Sequence, residues 1–279
     1  MDSFILRQTL SDMLKEDLGL CDITSSRVPN KKVRAEIVSH DSGVVSGVSE
    51  VEELFKLVDV SVVNKIPDGK SVKKNERVML LEGMSRRILV SERTALNILS
   101  RMSGISTMTR LFVECARSVN PKVRVASTRK TTPLFRFFEK TAVEVGGGDT
   151  HRLGLSDMVL IKDNHVRLFK NVGDAVRKVK AQTSFAHKVE VEVRSMAEAL
   201  SAVSAGADVV MFDNMSPKEI SRVVAELGKQ GVRDGVLLEA SGGITLDNVR
   251  DFASTGVDVL SAGCLTSDAP SIDFSLELV

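Results

Sequence analysis

The sequence predicts an α/β protein, in which a parallel sheet with covering helices follows an N-terminal α+β region. From about residue 120 onward, short apolar runs alternate with segments that carry helix-start signals. Strands that are joined through helices lie parallel, in a sheet that is either open or closed into a barrel. Before about residue 110, short strands are clustered between helices, a pattern that is typical of α+β domains.

The N-terminal region begins with MDSFILRQTLSDMLKEDLG, which predicts an amphipathic helix. An acidic residue at position 2 argues against a signal peptide. Two alternating runs, VRAEIVS (33–39) and RVMLLEG (77–83), predict strands, and a helical pattern from about residue 90 to 118 predicts a long helix.

The second half contains six apolar runs that predict strands. They are VRVAS (123–127), DMVLI (157–161), VEVEV (189–193), DVVMF (208–212), VLLEA (236–240) and VDVLS (257–261). Ser195 with Glu198, and Ser216 with Glu219, predict capping boxes at the starts of two helices. Gly206 stands where a helix should end, because glycine adopts the left-handed conformation at little cost.

Composition and charge exclude several kinds of partner. The formal net charge is only +1, which argues against a nucleic acid or an anionic membrane held by bulk electrostatics. No apolar stretch approaches the length that a membrane crossing needs. The cysteines, Cys21, Cys115 and Cys264, lie far apart and form no CxxC motif, which fits reduced thiols. We therefore expect a cytoplasmic protein whose anion sites depend on local arrangement.

Polar residues follow most of the predicted strands of the second half. In α/β barrels the catalytic groups stand at the carboxyl ends of the strands, because these ends converge on one face. This pattern favours a barrel over an open sheet. The residues concerned are Arg129 and Lys130, Lys162 to His165, Asp213 and Asn214, Ser241 to Gly243, and Ala262 and Gly263.

The strand VEVEV places two glutamates on one face, because side chains alternate along a strand. In a parallel sheet covered by helices both faces are buried, so Glu190 and Glu192 need cations, a metal or polar ligand groups nearby. We expect them to line a barrel interior near its mouth. An edge strand with a wet face is the alternative.

The segment STRKTTP (127–133) is either a solvated basic turn or a site for a strong anion. Arg129 and Lys130 stand in it, His151 and Arg152 follow in the next segment, and Lys162 follows the second run. Clustered cations repel one another, so a buried cluster makes sense chiefly when an anion completes it. Lys162 has a second interpretation, as the Schiff-base lysine of an aldolase.

Two glycine-containing segments, EASGGIT (239–245) and SAGCL (261–265), contain the ends of the last two predicted strands. Backbone N–H groups at the start of a following helix can bind a phosphate, and the helix dipole contributes. Paired phosphate loops after the last two strands recur in barrels. The two segments together favour phosphate binding.

Six longer segments carry a family likeness: SERTALNILSRMSGIST, TRKTTP, EKTAVEVGGGDTHRLGLSDMVLIKDNH, VEVEV, FDNMSP and EASGGIT. They closely resemble the quinolinate phosphoribosyltransferase family, also called carboxylating nicotinate-nucleotide pyrophosphorylases. The likeness runs with gaps from about residue 16 to the C-terminus. It implies an incomplete α/β barrel at 110–266, joined to an α+β sandwich domain that consists of 1–109 with 267–279.

The resemblance implies an enzyme of NAD biosynthesis. Such an enzyme transfers a phosphoribosyl group from phosphoribosyl pyrophosphate to quinolinate with decarboxylation, giving nicotinate mononucleotide, pyrophosphate and CO₂. The resemblance further implies Mg²⁺, no organic cofactor, and a homodimer or higher oligomer whose sites are shared between subunits.

The resemblance also implies roles for individual residues. Lys130, Glu192 and Asp213 are the catalytic candidates, with Lys130 near the pyrophosphate and the two carboxylates at the ribose hydroxyls, with or without Mg²⁺. The predicted quinolinate-binding residues are Arg129, His151, Arg152 and Lys162, with Arg93 contributed across the dimer. The predicted phosphate-binding residues are Ser241, Gly242, Gly243 and Gly263. No metal ligands are assigned.

The sequence departs from the family pattern at three positions. Leu134 stands where glycine is usual, Ser267 where histidine is common, and Cys21 where glycine is common. Three other functions stay open: a related phosphoribosyltransferase-like protein associated with molybdate transport, an aldolase built on Lys162, and a non-catalytic sensor of pyridine dicarboxylates or sugar phosphates.

Overall fold

The structure, a computed structural model, describes residues 2–279. The chain divides into two compact units. The first contains the chain up to Arg110, residues 133–147 and residues 269–279, and the second contains residues 111–132 and 148–268.

The predicted helices and strands occur in the predicted order, together with elements that were not predicted. The helices are α1 Ser3–Leu18, α2 Val48–Leu57, α3 Ser85–Arg117, α4 Arg136–Val145, α5 Asp163–Val166, α6 Val172–Gln182, α7 Met196–Ser204, α8 Pro217–Lys229, α9 Val249–Ala253 and α10 Cys264–Ser267. The strands are β1 Lys32–Ser39, β2 Gly43–Val44, β3 Ser61–Lys65, β4 Ser71–Val72, β5 Arg77–Met84, β6 Arg124–Ala126, β7 Val159–Ile161, β8 Val189–Val193, β9 Val209–Asp213, β10 Leu237–Ser241, β11 Val259–Ser261 and β12 Phe274–Leu278. Short 3₁₀ turns span Ser25–Arg27 and Arg233–Gly235.

The first unit contains an antiparallel sheet with the strand order β12-β1-β5-β3. In β1 the buried residues alternate with more exposed ones, as expected for a strand with one face on a core. The last strand, β12, pairs antiparallel with β1, so the C-terminal segment joins the N-terminal sheet. Antiparallel strands with packed helices confirm the predicted N-terminal α+β region.

Helix α4 was not predicted from the sequence, and its residues belong to the first unit. Phe138, Ala142 and Val143 are buried in that unit's hydrophobic core. The Glu139 side chain is also buried, and Arg101 Nη2 lies 2.8 Å from its Oε1. The compact units therefore differ from the predicted domains at residues 133–147, which the prediction placed in the barrel. The predicted domain boundaries stay a prediction.

The second unit contains six parallel strands in the order β6-β11-β10-β9-β8-β7. The last of these strands along the chain, β11, pairs back onto the first, β6, whereas within residues 2–279 no pairing joins β6 to β7. The sheet is thus a barrel that is interrupted between its first two strands. Beside this gap, Asp149 forms an isolated parallel bridge with Ala126. The predicted fold class, an incomplete α/β barrel after an α+β region, is confirmed.

The helix caps agree with the predictions at one helix and differ at another. Ser216 and Glu219 form the reciprocal capping box at the start of α8. At α7, Ser195 accepts the Glu198 N–H, but the Glu198 carboxylate accepts from the Arg194 N–H rather than from Ser195, so the predicted box is only half formed. Gly206 follows α7 with φ of 85°, as predicted.

None of the helices described in residues 2–279 combines the length and the apolar character that a membrane span requires.

Candidate active site

A cavity of about 720 Å³ lies at the carboxyl ends of the barrel strands. All of its lining residues belong to the second unit. The lining includes each substrate-binding residue that was predicted within this unit: Arg129, Lys130, His151, Arg152, Lys162, Glu192, Asp213, Ser241, Gly242, Gly243 and Gly263. The structure thus brings these residues together, as expected where parallel strands end at the same edge. Their individual roles stay predictions.

The remaining predicted site residue, Arg93, belongs to the first unit. It is exposed on α3. Its predicted role requires a second subunit.

Two arginines make the cavity suitable for an anion. The Nε atom of Arg129 is buried and has no hydrogen-bond partner within the described part of the chain. Arg152 is only 9% exposed, and burial together with the nearby Arg129 guanidinium lowers its pKa. Each cation therefore makes the other more costly, and a bound carboxylate or phosphate would relieve that cost.

Two carboxylates of the cavity are held by neighbouring cations. Lys162 Nζ donates to Glu192 Oε1 at 2.7 Å, and Arg194 Nη2 donates to Asp213 Oδ2 at 2.8 Å. Arg194 was not among the predicted site residues. It directly follows β8, so the strand-end pattern that identified its neighbours also applied to it.

The two glutamates of β8 have different environments although they share a face. Glu192 lines the cavity, and its side chain is 11% exposed. Glu190 is fully buried, and neither of its carboxylate oxygens has a hydrogen-bond partner among residues 2–279. Burial, and secondarily the charge of nearby Glu239, raises the pKa of Glu190 to about 9. The prediction that the pair lines the barrel interior is confirmed, and Glu190 carries a proton at neutral pH.

Glu239 and Ser261 also line the cavity, in a hydrogen-bonded group with His151, and the sequence analysis missed both. His151 Nε2 lies 3.2 Å from Glu239 Oε2 and 3.7 Å from Glu190 Oε2. Ser261 Oγ donates to the other Glu239 oxygen at 2.5 Å. Glu239 and Ser261 lie on the neighbouring strands β10 and β11. Glu239 precedes Ser241 by two residues on the same strand, so alternation was a usable signal that both face the cavity.

The glycine loop after β10 differs from its prediction. Gly242 and Gly243 have φ of 95° and 64°, which explains why glycine is used there. A side chain at Gly242 would also overlap Asn214. However, α9 begins only at Val249 and has five residues, so no helix start follows the glycines directly. Any phosphate contact at this loop depends on its own N–H groups.

The second glycine segment lies against Lys130. A Cβ atom at Gly263 would lie 2.8 Å from Lys130 Cδ, so the absence of a side chain leaves room for the lysine. Thr266 Oγ1 donates to the Lys130 carbonyl at 2.7 Å and holds the backbone of this residue. A side chain at Gly263 would therefore displace the Lys130 side chain from its present position.

The departures from the family pattern have a visible local structure at two positions. Leu134 has φ of 65° and is 96% exposed, so it adopts the left-handed conformation that glycine adopts without strain. Ser267 lines the cavity, and its Oγ donates to the Gly263 carbonyl at 3.0 Å. Cys21 is exposed, and nothing in the structure relates it to the cavity.

Family profiles match nearly the whole chain. The profile described as "Quinolinate phosphoribosyl transferase, N-terminal domain" matches residues 22–103, and the one described as "Quinolinate phosphoribosyl transferase, C-terminal domain" matches residues 105–277. The chain belongs to the quinolinate phosphoribosyl transferase family. It is therefore a phosphoribosyltransferase, and the predicted family and enzyme class are confirmed.

Individual relatives agree with this family. A protein of Methanothermobacter thermautotrophicus named "Probable nicotinate-nucleotide pyrophosphorylase [carboxylating]" is 47% identical, over 96% of this chain and 97% of its own length. A protein of the same name from Archaeoglobus fulgidus is 48% identical, over 92% of this chain and 98% of its own. The solved structure of the nicotinate-nucleotide pyrophosphorylase from Francisella tularensis is 34% identical in sequence, with a TM-score of 0.92 over 100% of this chain and 98% of that one.

The aldolase alternative is disfavoured by the environment of Lys162. A Schiff-base lysine must lose its proton, which burial in an apolar pocket promotes. The Lys162 side chain is instead 47% exposed and paired with Glu192. Lys162 therefore lacks the apolar, buried surroundings of a Schiff-base lysine, so family membership and local structure agree.

Proposed function

We propose that the protein transfers the phosphoribosyl group of phosphoribosyl pyrophosphate to quinolinate and releases CO₂. The products are nicotinate mononucleotide and pyrophosphate, as in NAD biosynthesis. The observation that carries the proposal is the meeting of Arg129, Arg152 and Lys162 in one cavity with Glu192 and Asp213. Both substrates are multiply charged anions, and a closed site with clustered cations suits them. The names of the relatives agree with this reaction.

We assign the quinolinate carboxylates to the arginines and Lys162. The guanidinium groups of Arg129 and Arg152 present a planar fork that matches a carboxylate, and the buried Arg129 Nε still lacks a partner among the described residues. Lys162 adds a third cation, once its bond to Glu192 is replaced by a bond to a quinolinate carboxylate. His151 lines the same pocket, but protein atoms lie at both of its ring nitrogens. It therefore contributes chiefly through Arg152.

The phosphoribosyl donor is assigned to the glycine loops and the carboxylates. Lys130 stands beside Gly263 and stabilises the pyrophosphate as it leaves. Ser241, Gly242 and Gly243 provide hydroxyl and N–H donors for the phosphate. Glu192 and Asp213 accept hydrogen bonds from the ribose hydroxyls. Their charges also stabilise the oxocarbenium-like state at the anomeric carbon.

A divalent metal fits this side of the cavity, and we propose Mg²⁺. It would neutralise pyrophosphate charge and would be bound mainly through substrate oxygens and water. Among the carboxylates that line the cavity, those of Glu192 and Asp213 would be the protein ligands. Carboxylate oxygens are ligands that Mg²⁺ accepts, so the donor set fits.

The chemistry follows from the substrates once they are held. The pyridine nitrogen of quinolinate attacks the anomeric carbon as pyrophosphate leaves. The resulting pyridinium then stabilises the carbanion that decarboxylation produces. This sequence requires no organic cofactor, since the positively charged ring acts as the electron sink.

We further propose a cytoplasmic homodimer with shared sites. Arg93 is exposed on α3, and in the proposed dimer it reaches the quinolinate pocket of the other subunit. The catalytic domain in this proposal comprises residues 110–266, and residues 1–109 with 267–279 comprise the sandwich domain.

The test is a direct assay with quinolinate, phosphoribosyl pyrophosphate and Mg²⁺. Nicotinate mononucleotide and CO₂ should appear in equal amounts and only when both substrates are present. Binding of quinolinate without CO₂ release would instead indicate a sensor. A lysine adduct trapped by borohydride with a carbonyl substrate would indicate the aldolase.

A further inference from the structure

The histidine that lines the cavity is held from both sides of its ring. The backbone N–H of Arg152 donates to His151 Nδ1 at 2.8 Å. The opposite nitrogen, Nε2, faces the Glu239 carboxylate at 3.2 Å. Ser261 Oγ fixes the second oxygen of that carboxylate at 2.5 Å. A continuous series of hydrogen bonds thus runs from β11 through β10 to the backbone at Arg152.

These partners determine which nitrogen carries the proton. A ring nitrogen that accepts a hydrogen bond from a backbone N–H cannot carry a proton itself. The proton of His151 therefore resides on Nε2, which donates it to Glu239. In this state the ring is neutral, and it acts as a bridge between Glu239 and the Arg152 backbone.

This tautomer also argues against a metal ion between His151, Glu190 and Glu239, although these residues offer ligand atoms within 4.8 Å of one another. A neutral histidine that binds a metal through Nε2 must carry its proton on Nδ1. Nδ1 is here an acceptor for a backbone N–H. The hydrogen bonds and a metal ion at Nε2 are therefore mutually exclusive.

The backbone at this point needs external support. His151 has φ of 52°, a left-handed conformation that is strained for a residue with a side chain. Asp149 Oδ1 accepts a hydrogen bond from the His151 N–H at 2.8 Å, and this contact stabilises the backbone bend at His151. The next residue is Arg152, whose guanidinium is repelled by the charge of Arg129. Without support, both strain and repulsion favour movement of Arg152 away from its position.

We propose that Ser261, Glu239 and His151 form a positioning relay, which fixes the bend before Arg152 and aims its guanidinium into the quinolinate pocket. The assignment of the pocket to quinolinate rests on the proposed function. The relay residues act through Arg152, so they are positioning residues. Misplacement of a binding group by about 1 Å can cost about a hundredfold in rate.

The first test reads the tautomer and does not require activity. Long-range ¹H–¹⁵N spectra of the ligand-free protein report which ring nitrogen carries the proton, and the His151 signals are assigned by their loss in His151→Gln. We expect a protonated Nε2 and an unprotonated Nδ1. A proton on Nδ1, or Nε2 bonded to a metal that copurifies with the protein, would overturn the relay.

The second test separates positioning from general damage to the fold. Glu239→Leu and Ser261→Ala should raise the KM for quinolinate by about tenfold to a hundredfold, with a much smaller change in the KM for phosphoribosyl pyrophosphate. Glu239→Gln and Ser261→Thr keep an acceptor and a hydroxyl, so they should recover much of the loss. Val210→Ala is the control. Val210 lies in β9, between β10 and β8, where it is fully buried and points away from the cavity. It should lower the thermal midpoint without a selective change in the quinolinate KM.

The outcomes distinguish failure of the relay from failure of the proposed function. If the wild-type protein turns over quinolinate and the relay variants keep its KM, the relay is wrong and the function stands. If the wild-type protein makes no nicotinate mononucleotide, the proposed function is wrong, and so is the role of the relay in quinolinate binding. If the relay variants change the KM values for quinolinate and phosphoribosyl pyrophosphate equally, and Val210→Ala does the same, the three residues contribute only to packing and the relay is wrong.

Discussion

Lys162 and Glu192 satisfy each other across neighbouring strands of the barrel. Lys162 Nζ lies 2.7 Å from Glu192 Oε1, with Lys162 directly after β7 and Glu192 in β8. The proposed function assigns them to different substrates, the lysine to a quinolinate carboxylate and the glutamate to ribose hydroxyls. Substrate binding therefore replaces one internal ion pair with two contacts to ligands.

This exchange predicts different effects of Lys162→Met on activity and on stability. The lysine side chain is 47% exposed, so loss of the pair should cost at most about 1 kcal/mol of unfolding free energy. The kcat/KM for quinolinate should fall about thirtyfold to several thousandfold, because a contact to a desolvated carboxylate is removed. The measurements are steady-state kinetics and denaturant unfolding. Lys180→Met is the matched control, since Lys180 forms a similar pair with Asp208 at 2.8 Å. Equal kinetics of the two variants would contradict the assignment.

The number of cations in the cavity predicts a strong preference for the dicarboxylate. Nicotinate lacks one of the two carboxylates of quinolinate, so it would leave the buried Arg129 Nε without the acceptor that the second carboxylate is proposed to provide. A site built to bind a polar group rejects an analogue that lacks it by large factors. We expect quinolinate to be used far better than nicotinate in competition assays. Comparable specificity constants for quinolinate and nicotinate would contradict this prediction.

The STRKTTP segment is tested by two substitutions with different expected effects. Arg129→Ala should weaken quinolinate use by about 2–5 kcal/mol, because it removes a charge-assisted contact from a partly buried site. Lys130→Ala should mainly lower kcat, since its charge stabilises pyrophosphate as it leaves. Both variants should fold, because loss of a cation relieves repulsion in the empty site. Lys122→Ala is the control, an exposed lysine that precedes β6. If both variants match this control in kinetics and in thermal midpoint, the segment is only a solvated turn.

Shared sites predict complementation between two inactive chains. An Arg93→Ala chain mixed with an Arg152→Ala chain should regain part of the lost activity, because a heterodimer would contain one intact site. Separately tagged chains and mass spectrometry establish that subunits have exchanged. Two batches of Arg93→Ala, mixed in the same way, serve as the control. Exchange without recovered activity would show that each site belongs to one chain.

The buried Glu190 predicts a pH dependence of stability. Its pKa is raised from 4.5 to about 9, so the folded protein binds this proton more tightly than the unfolded chain. The stability that follows is fully present below about pH 4.5, decreases as the pH rises, and is lost once the pH passes the folded value of about 9. Glu239, Arg152, Glu192 and His151 surround the group and influence the same titration.

Glu190→Gln tests this prediction, since the amide resembles the protonated acid and cannot ionise. Its unfolding free energy should decline less than that of the wild-type protein between about pH 5 and about pH 9, the range set by the two pKa values. Urea unfolding at several pH values measures the difference between the two proteins. Parallel curves would mean that Glu190 does not hold its proton in the folded state.

Much of the architecture was predictable because it depends on local geometry. The alternation in VEVEV places Glu190 and Glu192 on one face in any strand, and the structure has them there. The helix between each pair of strands requires parallel pairing, and the pairs β8–β9 and β9–β10 are parallel. The convergence of Lys130, Asp213 and Gly263 follows from the same rule, since each comes just after or at the end of a strand of one barrel.

Other features depended on neighbours that are distant in sequence. Helix α4 carries an apolar face, but only the packed core shows that this face belongs with the N-terminal sheet. The interruption between β6 and β7 is likewise a property of the assembled sheet. Neither strand alone contains a signal for it.

The sequence by itself determined which side chains of a strand share a face, and the tertiary structure decided their chemical state. Glu190 and Glu192 are both glutamates on the same face of β8. Glu190 is buried and protonated, whereas Glu192 forms an ion pair with Lys162. His151 was predicted as a member of a cation cluster, and its hydrogen bonds to the Arg152 backbone and Glu239 make it a neutral bridge. The face to which a side chain points follows from the two-residue repeat of the strand, which is a local property. Protonation depends on depth below the cavity and on charges from other strands, so it exists only once the barrel has formed.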